Sequence, residues 1–204
     1  MARVEAFSDG VLAIAITLLV LDIKVPVLAP GQTLMVGLLR QWPQILGYAA
    51  SFVVIGIYWA NHHYMFNLIH RCDHWLLLLN LGFLLCIGSL PFPTALVSAY
   101  LQNPGAQRTA VFVYQGAILA CAVFFNAIWR YASTGHRLVD SRLDPEFIDA
   151  VTRRYNLGVL TYVVSVFAAL WNVRAALAID MLLVLVFFFP SPKPQFRPNS
   201  ATET

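Results

Sequence analysis

The stretch Phe7–Leu21, FSDGVLAIAITLLVL, decides the fold class of this chain. It opens with the polar residues Ser8 and Asp9 and then carries no charge, and Thr17 is the only later residue whose side chain forms hydrogen bonds. A carboxylate at the edge of such an apolar run is expensive in lipid, so Asp9 must have a partner or a function. The stretch therefore predicts a membrane helix with a polar beginning.

The rest of the chain has a similar membrane character. Hydrophobic residues make up 59% of the 204 positions and charged residues 11%, whereas a soluble domain carries about 25% charged residues. A span needs roughly 20 mainly apolar residues, and six segments meet that need, at 5–25, 43–61, 75–100, 107–131, 151–171 and 174–189. We therefore predict an all-α membrane protein with six transmembrane helices in one domain, 1–190, followed by a disordered cytoplasmic tail, 191–204.

The distribution of lysine and arginine predicts the orientation. Six spans place both termini on one side, and nine basic residues share that side: Arg3, Arg71, Arg130, Arg137, Arg142, Arg153, Arg154, Lys193 and Arg197. The other side has four: Lys24, Arg40, Arg108 and Arg174. This bias predicts a multi-pass protein of the cell membrane with both termini in the cytoplasm. Because the basic residues flank the spans, the net charge of +3 does not indicate a nucleic-acid partner.

The first helix carries a stripe of residues at intervals of three or four, the spacing of a helix–helix seam. Beyond Phe7 and Gly10 it contains Ile14, Leu18 and Leu21, with Thr17 beside them. In one interpretation, this stripe packs against neighbouring helices. In the other, it faces a symmetry axis, where copies of the helix enclose a pore with an apolar constriction that gates ions by dewetting. Periodicity alone does not decide between the two.

The polar residues at the start of this helix also have two interpretations. Ser8 or Asp9 could cap the helix start. Alternatively, the carboxylate could lie against a basic partner, for which the candidates are Arg3 and the pair His62–His63 at the end of the second span. A direct contact between Asp9 and ions is a third possibility.

Two other features could carry chemistry. Four histidines lie close together in the sequence, at positions 62, 63, 70 and 74. They favour a polar network that could respond to pH over a metal site, because HRCDH has no glutamate beside a ligand. Asp180 is a second carboxylate within an apolar segment. Together they define an alternative function, a small transporter or membrane enzyme. The sequence lacks a nucleophile elbow, a P-loop and HExxH, so we expect neither an enzyme nor a cofactor.

Three motifs resemble the transmembrane-protein-175 family of potassium channels. They are Arg3-x-x-x-Phe7-Ser8-Asp9-Gly10 at the first helix, YWANHHYMF at 58–66 and SLPFPT at 89–94. In spans 1–3 the resemblance rests on these motifs, and in spans 4–6 it rests mainly on the arrangement of the predicted spans.

The resemblance implies a passive, potassium-permeable channel that assembles as a homotetramer in the lipid bilayer. It implies that the first helices line the pore, with a hydrophobic constriction at Ile14, further layers at Leu18 and Leu21, and a polar position near Thr17. K⁺ would pass through without a resident metal or cofactor. The implied network that supports the pore helix consists of Arg3, Phe7, Ser8, Asp9, Gly10, Asn61, His62 and His63.

Overall fold

The structure, a computed structural model, describes residues 1–197. These residues form α-helices and short irregular connections, with two isolated β-bridges in place of a sheet. The helices are α1 (Ala2–Leu18), α2 (Leu34–Arg40), α3 (Trp42–Leu68), α4 (His74–Ser89), α5 (Pro91–Tyr100), α6 (Gln107–Ser133), α7 (Pro145–Trp171) and α8 (Val173–Phe188). A 3-10 turn, Leu19–Asp22, extends α1.

Except for α2, these helices follow the six apolar segments of the sequence, with α4 and α5 sharing the third. Within residues 1–197, four stretches are long and apolar enough to cross a membrane: Ala2–Asp22, Trp42–Leu68, His74–Tyr100 and Gln107–His136. The prediction of an all-helical membrane protein is therefore confirmed at this level. Helices α7 and α8, with 27 and 16 residues, are not among these four stretches. That they cross the membrane stays a prediction.

Local sequence explains two breaks in the helices. Helix α4 ends at Ser89 and α5 begins at Pro91, because a proline has no N–H to donate and is tolerated best in the first turn of a helix. The two prolines of SLPFPT thus lie where the third apolar segment is divided into two helices. Thr33 begins α2 by accepting a hydrogen bond from the Val36 N–H, and Gln41 separates α2 from α3.

Helix α6 occupies the centre of the bundle and packs against α4, α5 and α7, while α7 also packs against α8. Aromatic rings fill this core: the ring of Phe125 lies 5.5 Å from that of Phe83 and 5.1 Å from that of Tyr155. Helix α1 lies on the outside of this core and packs against α3 and α4. One side of α1 is consequently free of its own chain.

The connections after α3, α6 and α8 meet at the end of the bundle where α1 begins. The N–H groups of His70 and Arg71 donate to the Leu138 carbonyl, and the Arg197 N–H donates to the Arg142 carbonyl. Within the predicted tail, Gln195 and Arg197 are therefore hydrogen-bonded to the segment between α6 and α7, and Ser191 and Pro192 are hydrogen-bonded to α3. The predicted disorder stays a prediction for residues 198–204, which lie outside the described residues.

Asp73 connects two helices at this end, and its removal should lower stability. One carboxylate oxygen accepts from the Leu76 N–H at 2.9 Å and caps α4, and the other accepts from the Tyr131 hydroxyl at 2.7 Å. These two hydrogen bonds lower the pKa of Asp73 from its ordinary value of 3.8. We expect Asp73→Ala to lower the Tm by about 2–4 °C at neutral pH, measured by circular dichroism in detergent.

The pH dependence of this effect follows from the direction of the pKa shift. Because the folded pKa is lowered, the cap stabilises the fold fully above pH 3.8 and loses its contribution as the pH falls through the lowered pKa. The Tm difference between wild type and Asp73→Ala should therefore shrink in acid. Asp149→Ala, at an exposed acid in α7, is the control and should leave the Tm unchanged; an equal loss there would contradict the assignment.

Candidate functional site

Helix α1 has one face against its own chain. Ser8, Leu12, Ala15 and Leu19 are buried there, with exposed fractions of 2% or less. Their spacing of four, three and four residues follows the helical repeat, so they form one continuous stripe. This face fixes the rotation of α1 on α3 and α4.

The roughly opposite face of α1 carries the aliphatic stripe that the sequence singled out. The exposed fractions are 60% for Ile14, 44% for Leu18 and 60% for Leu21, and Phe7 and Gly10 are also exposed on this side. The other described helices therefore leave most of this stripe uncovered, which argues against the interpretation in which it packs against neighbouring helices of the same chain. Its partner must be lipid or another copy of the chain.

Thr17 adds an oxygen atom to this exposed face. Its hydroxyl donates to the Ile14 carbonyl one turn earlier at 2.9 Å. The hydroxyl hydrogen is thereby directed into the helix, and the oxygen keeps lone pairs for an external donor or cation. Thr17 is consequently the polar position within an otherwise aliphatic surface.

A buried hydrogen-bond chain joins α1 to α3 and α4. The Asn80 amide donates to the Ser8 hydroxyl at 2.9 Å, Ser8 donates to the Val4 carbonyl at 2.9 Å, and His62 Nε2 lies 2.9 Å from Asn80 Oδ1. Because that amide oxygen only accepts hydrogen bonds, Nε2 of His62 carries the hydrogen. The His62 ring also stacks on Phe66, with centroids 4.1 Å apart. We call Ser8, Asn80 and His62 the buried triad.

Asp9 has a different partner from those considered in the sequence. The indole N–H of Trp59 in α3 donates to its carboxylate at 2.9 Å, and His63 stacks on that indole with centroids 6.4 Å apart. The expected basic partners, Arg3 and the histidine pair, do not provide this contact. The capping interpretation is also wrong, because α1 begins at Ala2, well before Ser8.

The position of Asp9 also argues against direct contact with ions on the stripe. Asp9 and Ile14 are five residues apart and therefore about 140° apart around the helix. The hydrogen bond to Trp59 directs the carboxylate toward α3. The hydrogen bond from Trp59 to Asp9 thus attaches the side of α1 to α3.

The other predicted network residues are divided between different surroundings. Arg3 and Phe7 line a surface depression that Asn80 also borders. Gly10 has open space around it. Asn61 donates to the Ile57 carbonyl at 2.8 Å and accepts from Ser191 at 3.3 Å, so it contacts the chain after α8 instead of α1. Sequence reasoning missed Asn80, although it is a lone polar residue within the apolar run LLLLNLGFLLC.

Asp180 lies apart from this site. Its carboxylate accepts from the Gln115 amide in α6 and from the Ser165 hydroxyl in α7, the latter at 3.0 Å. Its hydrogen-bond partners thus come from helices other than α1, α3 and α4, which hold the buried triad. This separation weighs against a transporter or enzyme in which Asp180 and the histidines form one site.

Comparison with known proteins gives consistent results. The family model described as endosomal/lysosomal potassium channel TMEM175 matches residues 3–91. A protein from Chamaesiphon minutus named as a potassium channel is 43% identical over 189 residues, covering 92% of each chain. Another from Streptomyces collinus is 44% identical over 188 residues, covering 92% of this chain and 91% of that one.

A solved structure is also similar over nearly the full length. It is the crystal structure of a homologue, from Chamaesiphon minutus, of the lysosomal potassium-selective channel TMEM175. The two chains superpose with a TM-score of 0.83 at 39% identity, and the match covers 94% of this chain and 98% of that one.

Proposed function

This chain belongs to the TMEM175 family, and on that premise we propose that it is a potassium-permeable cation channel. In this proposal ions move passively through a pore lined by α1 from each subunit. The observation that carries the proposal is the exposed stripe on α1, an aliphatic surface that the other described helices leave uncovered, with the Thr17 hydroxyl oxygen beside it. The relatives named as potassium channels support the choice of ion and argue against an enzyme.

The chemistry of the stripe suits a hydrophobic constriction. Around a symmetry axis, Ile14 would form the narrowest ring, with Leu18 and Leu21 as further layers along the pore. Rings of aliphatic side chains gate conduction by excluding water from a narrow passage. Thr17 would supply hydroxyl oxygens next to this ring, where a partly dehydrated K⁺ gains most from a ligand.

The buried triad and the Asp9–Trp59 pair would hold the pore helix in position. They attach the first half of α1 to α3 and α4, while the stripe keeps its own face free. Rotation of α1 by one residue, about 100°, would turn Ile14 away from the axis. Supporting contacts of this kind therefore matter for conduction without touching an ion.

The topology that we propose has six membrane crossings with both termini in the cytoplasm of the producing cell. Residue 191 contacts Asn61, and the buried triad places the start of α1 beside the same end of α3. Both ends of the described chain are thus at one end of the bundle. The excess of lysine and arginine at that end supports its cytoplasmic placement in the plasma membrane.

Ion flux from liposomes tests the function. Liposomes that contain the purified protein and are loaded with K⁺ should release it down its gradient, and bi-ionic recordings should give a reversal potential that favours K⁺ over Na⁺. Protein-free liposomes are the control. Absence of flux under every gradient would contradict the proposal, and equal permeation of both ions would restrict it to a non-selective cation channel.

The oligomeric state provides an independent prediction. A pore built from first helices needs several copies, and we expect four. Native mass measurement or crosslinking in mild detergent should therefore give a tetramer of the 22.7 kDa chain. A stable monomer that still conducts K⁺ would be incompatible with a shared pore.

A further inference from the structure

A second buried feature lies at the opposite end of the bundle from the triad. It is a chamber of about 150 Å³ between α3, α5, α6 and α8. Its walls are mainly aliphatic and include Leu46, Ala50, Val54, Val97, Leu177 and Val184. Asp180, Ser98 and Tyr114 add polar groups to this lining.

The carboxylate of Asp180 lacks a compensating positive charge. The residue is 8% exposed, and its hydrogen-bond donors, Gln115 and Ser165, are both neutral. Among residues 1–197, the ion pairs involve Asp140 and Asp144 and not Asp180. A buried carboxylate is costly unless it is paired or neutralised. Either a proton or a bound cationic group therefore stabilises the site.

The wall formed by α5 presents an unused hydrogen-bonding group. Ser98 is 4% exposed, and within the described residues its hydroxyl oxygen has no hydrogen-bond partner. Its neighbour Thr94 is already engaged, since it pairs with the Ser51 hydroxyl at 2.8 Å. This oxygen lies against Gly47 of α3, so it accepts a hydrogen bond from a molecule inside the chamber only after the Ser98 side chain has rotated.

The chamber suits an organic cation better than a metal ion. An alkali ion needs several oxygen atoms in place of its hydration shell, whereas most of this lining is hydrocarbon. A compact amine needs only one carboxylate and one or two acceptors for its N–H groups, and its hydrocarbon part gains from apolar walls. Leu46 and Met181 are about half exposed, so the chamber reaches the lateral surface of the bundle.

We propose that this chamber binds a compact lipophilic ammonium ion. The Asp180 carboxylate faces the charge, Ser98 accepts a hydrogen bond from the nitrogen once its side chain has rotated away from Gly47, and the aliphatic walls of α3 and α8 surround the hydrocarbon. Such a ligand enters from the bilayer between Leu46 and Met181. The site is separate from the proposed pore and does not depend on conduction.

Equilibrium binding of a charged and a neutral ligand of the same shape tests this site. The probes are 1-aminoadamantane and 1-adamantanol, applied at neutral pH to the full chain in lipid nanodiscs, with empty nanodiscs as the background. Wild type should bind the amine about tenfold or more tightly than the alcohol, because only the amine forms charge-assisted hydrogen bonds. Equal affinity for the two probes would overturn the proposal.

Variants then locate the site. Asp180→Asn should abolish the preference for the amine, whereas Asp149→Asn, which removes an exposed acid from α7, should retain it. Ala50→Leu fills the chamber and should weaken both probes, which keeps the test decisive even if Asp180→Asn does not fold. If Ile14→Ala lost amine binding while Ala50→Leu bound the amine as tightly as wild type, the amine would be bound in the proposed pore. That result would contradict the assignment.

Discussion

Ile14→Ala is expected to raise K⁺ conductance severalfold and to reduce selectivity for K⁺ over Na⁺. Ile14 is 60% exposed on the face of α1 that turns away from its own chain. If four copies of this residue form the constriction, removal of three carbons from each widens the passage and lowers the barrier to hydrated ions. Single-channel recordings in planar bilayers measure the conductance, and bi-ionic reversal potentials measure the selectivity.

Asparagine at the same position separates width from wetting. Ile14→Asn shortens the side chain less than alanine does but introduces an amide that holds water. Conductance should therefore also rise, because a hydrophobic constriction conducts poorly through its dryness as well as its diameter. A rise with alanine but not with asparagine would indicate that width alone limits the current.

Ile16→Ala is the matched control for both variants. It deletes the same atoms from the same helix, but Ile16 lies two residues from Ile14, about 200° around the helix, and packs against the core. We expect lower stability and unchanged conductance per channel. If Ile14→Ala left permeation as unchanged as Ile16→Ala does, Ile14 would not be the constriction.

The sequence predicted the helices and the stripe on α1 because both depend on local periodicity. Charge-free runs indicate spans whatever surrounds them, and the interval between Ile14, Leu18 and Leu21 requires only the helical repeat. These features needed no knowledge of neighbouring helices.

The partners of Ser8 and Asp9 could not be obtained in this way. They depend on the depth and rotation of α3 and α4 relative to α1, which periodicity does not specify. Charge complementarity indicated Arg3 or a histidine for Asp9, whereas the structure places the neutral indole of Trp59 there. The sequence also could not show that the stripe on α1 is free, since that requires knowing which face α3 and α4 cover.

Asn80→Ala is expected to destabilise the fold by about 1–3 kcal/mol, since it leaves a buried donor unsatisfied. Asn80 is the middle member of the buried triad, and its amide oxygen is the acceptor for His62 Nε2 at 2.9 Å. The substitution affects Ser8 less than His62, because the Ser8 hydroxyl still donates to the Val4 carbonyl. Chemical unfolding in mixed micelles, followed by tryptophan fluorescence, measures the loss.

An exposed asparagine of α3 provides the control. Asn67 also pairs with a histidine, His63, at 3.1 Å, but water can replace that bond at the surface. Asn67→Ala should therefore change the free energy of unfolding by less than about 0.5 kcal/mol. Equal effects of the two variants would show that the buried triad contributes no more than a surface contact.

A double-mutant cycle with Ser8→Ala determines whether the triad attaches α1 to the bundle. If Asn80 acts on α1 through Ser8, the second substitution should cost less once the first is present, with a coupling energy of about 0.5 kcal/mol or more. Strict additivity would mean that Asn80 stabilises α3 and α4 alone. Because the stripe on α1 would face the pore only in one rotation of the helix, coupled variants should also lose K⁺ flux, whereas Asn67→Ala should retain it.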